Sequence, residues 1–321
     1  MNKPQTRRPG PSPAGFNRRQ MIGRTATATL GALALQPARA AEGPAVVRGR
    51  IRQSIVHWPF EAFGEKWNGE QICRIAHELG CQSVELVATD VYPILKQHGL
   101  TCAICQIDMS PDAPFVKGWN NPDHWPRLTQ ATRAAIDAAA EHGFPNVICF
   151  TGFSARNPDD PASPHLSLEE GARNCVRGLK EMTRYAEQKQ VTLCLEMLNT
   201  RDDTHPMKGH PGYQGNHTDY CIDIIEAVGS PRLKLLFDVY HVQVMDGDVI
   251  RRIHQLKDYI GHVHTAGCPG RNELNDRQEI NYRPVMQALL DIGYTGFVGQ
   301  EYIPTCCPLD GLRQAVSLCD V

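Results

Sequence analysis

The chain carries no excess of positive charge. Its 321 residues hold 33 Lys and Arg against 35 Asp and Glu, a formal net charge of −2. Nucleic acid and acidic membrane surfaces are therefore not the expected partners. Beyond residue 40 no stretch is long and apolar enough to span a bilayer, so stable membrane insertion is not expected. No Gly-rich phosphate fingerprint follows the first strand-like run, which weakens a nucleotide-binding fold. No composition shift marks a second domain and no low-complexity segment follows the N-terminal region. The length suits one large domain.

Cysteine is plentiful, at twelve residues. Cys73, Cys149, Cys175, Cys194 and Cys221 fall inside apolar periodic segments, where a free thiol acts as a small hydrophobe. Cys102 and Cys105 have the spacing of a redox or zinc pair. They lie in an expected strand, where residues three apart point to opposite faces, so core packing is the preferred reading. Cys306 and Cys307 receive no role.

The N-terminus is ordered like an address. Paired Arg18 and Arg19 precede a weakly apolar stretch from Thr25 to Leu35, and Ala38-Arg39-Ala40 offers a small-residue cleavage site. This resembles a twin-arginine signal and outweighs a plain basic tail. Residues 1–40 are expected to be a signal peptide read by the twin-arginine export machinery. Residues 41–321 would then form a periplasmic or otherwise exported domain.

Eight strand-like runs follow: Arg52–His57, Ser83–Val87, Thr101–Ile107, Asn146–Thr151, Val191–Leu198, Leu233–Val239, Ile260–Thr265 and Gly296–Tyr302. Most are continuous apolar segments, the pattern of parallel strands covered on both faces. Helical segments separate them. Asn68 caps one that Gly80 ends, Asp123 opens a long one ending before Gly143, and Ser167 with Glu170 forms a capping box. Eight strand–helix units predict an α/β fold of the (β/α)8 TIM-barrel type, a single domain after the export signal. The long stretches Asp108–Pro122 and Asn199–Thr218 follow strands and would rise over the barrel mouth. Lys117, Trp119 and Lys208 within them are candidates to line it, although solvated or packing roles are commoner. Aromatic residues there are compatible with a contact in a homo-oligomer.

Four of the later runs end in a side chain able to bind a metal: Glu196, Asp238, His264 and Glu301. Singly, each reads as a loop carboxylate or a core histidine. Together at one mouth, buried carboxylates need a cation or proton between them. Three oxygens and one nitrogen favour Mn2+, Mg2+ or Co2+ over a structural zinc site, with Zn2+ also compatible. His262 shares the face of His264 and either can be the ligand; His264 is nearer the strand end. His241 is a candidate to bind a substrate hydroxyl or orient Asp238. Arg271, in the loop after the seventh run, is a candidate to clamp a substrate carboxylate. The bland reading of both is a surface loop residue.

These segments resemble the hydroxypyruvate isomerase family within the xylose-isomerase-like barrels. The resemblance rests on Leu195-Glu196-Met-Leu-Asn199, Phe237-Asp238-Val-Tyr-His241, Gly261-His-Val-His264-Thr, Pro269-Gly-Arg271-Asn-Glu273, Glu279-Ile-Asn-Tyr282 and Gly293 to Tyr302, and runs over most of residues 50–321. It implies a metal held by Glu196, Asp238, His264 and Glu301, with Glu196 and Glu301 as the acid–base pair. The expected reaction is isomerisation of a small α-hydroxycarbonyl or sugar-like substrate through an enediolate, as from hydroxypyruvate to tartronate semialdehyde. Many hydroxypyruvate isomerases carry Gln where this chain has His264. His occupies that place in related ketose 3-epimerases, which makes epimerisation the alternative. A metal-dependent phosphodiesterase or a non-catalytic exported sugar-binding barrel are the rivals of other classes.

Overall fold

A computed structural model describes residues 43–321. The expected export signal over residues 1–40 lies outside the described residues. Seven strands form one parallel sheet: β1 (Arg52–Val56), β2 (Ser83–Glu85), β3 (Asn146–Phe150), β4 (Thr192–Glu196), β5 (Leu233–Asp238), β6 (Ile260–Thr265) and β7 (Phe297–Gln300). Their order is β2-β1-β7-β6-β5-β4-β3, so sequence neighbours from β3 to β7 are also neighbours in space. Every residue of β3 is buried, as a run covered on both faces requires.

The third expected strand, Thr101–Ile107, is not a regular one. Thr101 bridges Ser83 of β2 and Cys105 bridges Val147 of β3. This segment closes the ring between the two edge strands of the sheet. Side chains replace part of the missing ladder. The Ala103 N–H donates to Ser83 Oγ at 2.8 Å, and Asn146 Nδ2 donates to the Ala103 carbonyl at 2.9 Å. The irregular backbone corrects the expectation for Cys102 and Cys105. Their sulfurs do not face apart but lie 3.9 Å from each other, both buried and both free.

The helices are α1 (Trp58–Ala62), α2 (Gly69–Leu79), α3 (Tyr92–Gln97), α4 (Trp125–His142), α5 (Leu168–Lys189), α6 (Thr218–Val228), α7 (Val239–Met245), α8 (Val249–Gln255), α9 (Tyr282–Asp291) and α10 (Pro308–Cys319). Asn68 and Gln71 form a reciprocal capping box on α2, and Gly80 ends it in the left-handed region. The long helix begins later than Asp123: a 3-10 turn over Pro122–His124, capped by Asn121, precedes α4. The Ser167 box is only half made. Ser167 Oγ accepts from the Glu170 N–H, but the Glu170 carboxylate turns to Arg156. Among the described residues no helix is long and apolar enough to cross a membrane.

Candidate active site

Each strand of a parallel barrel delivers its last side chain to the same end. Glu196 ends β4, Asp238 ends β5, His264 is the fifth of the six residues of β6, and Glu301 follows β7. One ligand atom from each of the four lies within 4.8 Å of all the others, and all four residues are buried. His264 Nδ1 is 2.8 Å from Glu301 Oε2 and 3.6 Å from Glu196 Oε1. Yet Glu196 Oε1, His264 Nδ1 and Glu301 Oε2 lack a well-aligned hydrogen-bond partner. Close approach without alignment is what donors aimed at a shared centre produce. Three buried carboxylates converging beside one imidazole nitrogen fit a hard divalent cation.

The charges explain why these groups need one. Burial, with Glu301 and Asp238 nearby, raises the Glu196 carboxyl to about 7. Burial likewise raises Asp238 to about 6, although Arg271 opposes it. Burial also opposes ionisation of Glu301, but Arg271, His264 and the Trp58 indole hold it well below the carboxylate range. Burial disfavours a charged His264, and the surrounding carboxylates overcome that and push its pKa well up. Without a cation, the cluster keeps protons to limit its own repulsion.

Asp238 does two jobs. Its Oδ1 caps α7, accepting the Tyr240 N–H at 2.7 Å and the His241 N–H at 3.2 Å. Its Oδ2 remains for the cluster, 3.5 Å from Arg271 Nη2. His241 stands behind Asp238 rather than on the cavity wall. The Asn199 N–H donates to His241 Nδ1 at 3.1 Å, which leaves the proton on Nε2, 3.6 Å from Asp238 Oδ2. Of the two roles expected for His241, this position suits orienting Asp238.

Arg271 is not a mobile loop charge. It is 2% exposed, its Nη1 donates to the Met207 carbonyl at 2.8 Å, and its Nη2 sits 2.6 Å from Glu301 Oε2. Its guanidinium also lies 5.3 Å from the Trp58 ring centre. The mouth candidates fare differently. Lys117 pairs with Asp112 and Asp159, and Trp119 is buried in the core. Neither lines the cavity beside the carboxylates, nor does Lys208.

Two residues escaped the reading of the sequence. Glu85, at the end of β2, accepts from both His262 Nε2 (2.9 Å) and His264 Nε2 (2.8 Å). Burial alone would raise its pKa, but the two imidazoles hold it down at about 2. By accepting from Nε2, Glu85 fixes the His264 ring so that Nδ1 faces the four-group cluster and would offer its lone pair once its proton is displaced. His262 thus shares Glu85 with His264 and stands one layer below the four. Trp58, the first residue of α1, donates its indole N–H to Glu301 Oε1 at 2.7 Å. Glu85 lies in the middle of the run Ser83–Val87, and only the early end of β2 makes it a strand ending. Trp58 carried no signal.

A cavity of about 200 Å3 opens on these groups. Glu196, Arg271 and Glu301 form part of its wall, and both long loops contribute, through Phe115 and Met207 among others.

The family model described as xylose isomerase-like TIM barrel matches residues 73–318. A 2-oxo-tetronate isomerase of Pectobacterium atrosepticum is 32% identical over 256 residues, 75% of this chain and 89% of that one. A hydroxypyruvate isomerase of Escherichia coli is 30% identical over 180 residues, 56% of this chain and 64% of that one. Several further curated relatives are matched over about half of their own length. The crystal structure of an AP endonuclease, family 2, from Brucella melitensis superposes with a TM-score of 0.69 at 22% identity, over 82% of this chain and 97% of that one. The chain belongs to the xylose isomerase-like TIM barrel family.

Proposed function

We propose that this chain is an isomerase of a small α-hydroxycarbonyl compound, of the hydroxypyruvate or 2-oxo-tetronate isomerase type, and that it works with a divalent metal. The observation that carries this reading is the buried set of Glu196, Asp238, His264 and Glu301, with one candidate ligand atom of each within 4.8 Å of the others. Relatives named as isomerases of small hydroxy-keto acids support the reaction class.

These four residues would hold the metal. When bound, it would polarise the substrate carbonyl and stabilise negative charge developing on its oxygen. The protein's own groups do the rest. One of Glu196 and Glu301 takes the proton from the hydroxyl-bearing carbon, and a carboxylic acid of the pair returns a proton to the neighbouring carbon. The C–H electron pair becomes the enediolate double bond and then the new C–H bond at the former carbonyl carbon, while the hydroxyl oxygen loses its proton to become the new carbonyl and the former carbonyl oxygen gains one, so the substrate is neither oxidised nor reduced overall. Glu301 is fixed for this by Trp58 on one oxygen and Arg271 on the other. Glu196 Oε1 has no partner and is free to exchange a proton. Arg271 keeps its charge beside the cavity, where it can also attract a substrate carboxylate.

The test is a Glu301→Gln variant, nearly isosteric with the natural residue. It should still bind Mn2+, while exchange of solvent deuterium into hydroxypyruvate, followed by NMR, falls by about a hundredfold or more. Equal exchange in variant and wild type contradicts the role given to Glu301.

A further inference from the structure

The cavity beside Glu196 and Glu301 is polar at one end only. Away from the carboxylates and Arg271, its wall is made by Leu86, Phe115, Ile148, Phe150, Leu198 and Met207. Of the polar residues that remain on it, His210 presents a buried Nδ1 with no hydrogen-bond partner, so the wall is mainly rather than wholly apolar. Gln106 is exposed to solvent. His210 is held neutral, burial being the main cause, and its ring packs 4.3 Å from that of Phe115. Beyond this wall lies a second, mostly apolar cavity of about 450 Å3. It shares Ala113, Phe115, Met207 and His210 with the first and continues toward Phe153 and Pro206. The two cavities therefore share an apolar lining built from both long loops.

A polyhydroxylated chain suits such a lining poorly. Each buried hydroxyl without a partner weakens binding by roughly tenfold. Each methylene placed there instead strengthens it by about fourfold. We propose that the non-reacting end of the substrate is apolar: an α-hydroxycarbonyl head at Glu196, Glu301 and Arg271 carries a short alkyl or aryl tail along Phe115 and Met207. This inference rests on the isomerase reading above and narrows its substrate class.

Hydroxamates test it, because their two adjacent oxygens mimic the head while the tail is varied freely. Calorimetric titration of the Mn2+-loaded protein would compare acetohydroxamate, hexanohydroxamate and gluconohydroxamate. Hexanohydroxamate should bind at least tenfold more tightly than acetohydroxamate and more tightly than gluconohydroxamate. That preference should shrink below threefold in Met207→Gln and in Phe115→Asn, two substitutions at half-buried loop positions. Equal binding of the two alkyl compounds, or tighter binding of the polyol, overturns the apolar tail and leaves the isomerase reading standing. Binding of none of the three overturns the hydroxycarbonyl head and this inference with it.

Discussion

His264 has two ring nitrogens, and each faces a carboxylate at 2.8 Å. Only one side can receive the proton of a neutral imidazole. Glu85 is held strongly ionised and keeps the Nε2 proton, so when a cation displaces the proton on Nδ1 its lone pair faces Glu196, Asp238 and Glu301. The central claim at this scale is that Glu85 sets the ligand while never touching the cavity. A Glu85→Gln variant weakens the acceptor and lets its amide donate to His264 instead. Mn2+ affinity should then fall about 10- to 100-fold, measured by calorimetry, with the fold retained by circular dichroism. Unchanged affinity contradicts the orienting role. Much of this residue set was legible in the sequence. Glu196, Asp238, His264 and Glu301 each close an apolar run, and parallel strands carry such endings to one place. The contacts of Glu85 and Trp58 were not legible, because the partners lie 179 and 243 positions away and pair only once the ring is closed.

Elements decide how tightly that cluster is built. Strand β7 passes directly beneath the Glu85 carboxylate, and position 299 carries no side chain. A Cβ there would meet Glu85 Oε1 and crowd the His264 ring. Gly299→Ala should therefore push Glu85 away from both imidazoles. The expected cost is about 1–3 kcal/mol in thermal or denaturant unfolding, accompanied by weaker Mn2+ binding. A variant as stable as wild type with full Mn2+ affinity would show that the strands yield at no cost. Helix boundaries near the site were only partly legible. Asn68, Gly80 and Gly143 announced their helix ends by local chemistry. Helix α7 did not, because the residue that caps it, Asp238, also belongs to the strand before it. The irregular third segment was hidden for a related reason. Thr101–Ile107 has a strand's composition, but the side chains of Ser83 and Asn146 take up the main-chain N–H and C=O of Ala103.

At the scale of the whole molecule, a near-neutral chain concentrates four carboxylates in its barrel mouth against the single guanidinium of Arg271. The metal-free fold answers by keeping protons. Glu196 and Asp238 titrate near 7 and 6 when folded, against ordinary values of 4.5 and 3.8. A carboxyl raised in this way lowers stability as pH climbs from the ordinary value through the folded one. Their contribution therefore falls from about pH 4 to about pH 7. Buried neutral histidines such as His210 give the opposite slope, with or without metal. The difference isolates the carboxylates: added Mn2+ takes the place of the protons, so its stabilisation should grow over pH 5 to 7. Differential scanning calorimetry at several pH values checks this, and a shift independent of pH would contradict it. The eight-unit barrel itself was legible from the alternation of apolar runs and capped helices. The apolar wall of the cavity was not, since it is assembled from loops and strand ends that share no local pattern.

The most direct test of the account is metal-dependent exchange. Protein stripped by chelation and then titrated with Mn2+ would be incubated with hydroxypyruvate and related small hydroxycarbonyl compounds in deuterated buffer, with incorporation read by NMR. The account predicts one tightly bound divalent ion per chain, with deuterium entering the carbon next to the carbonyl in proportion to the metal bound. No bound metal, and no exchange with any compound of the panel, would contradict it.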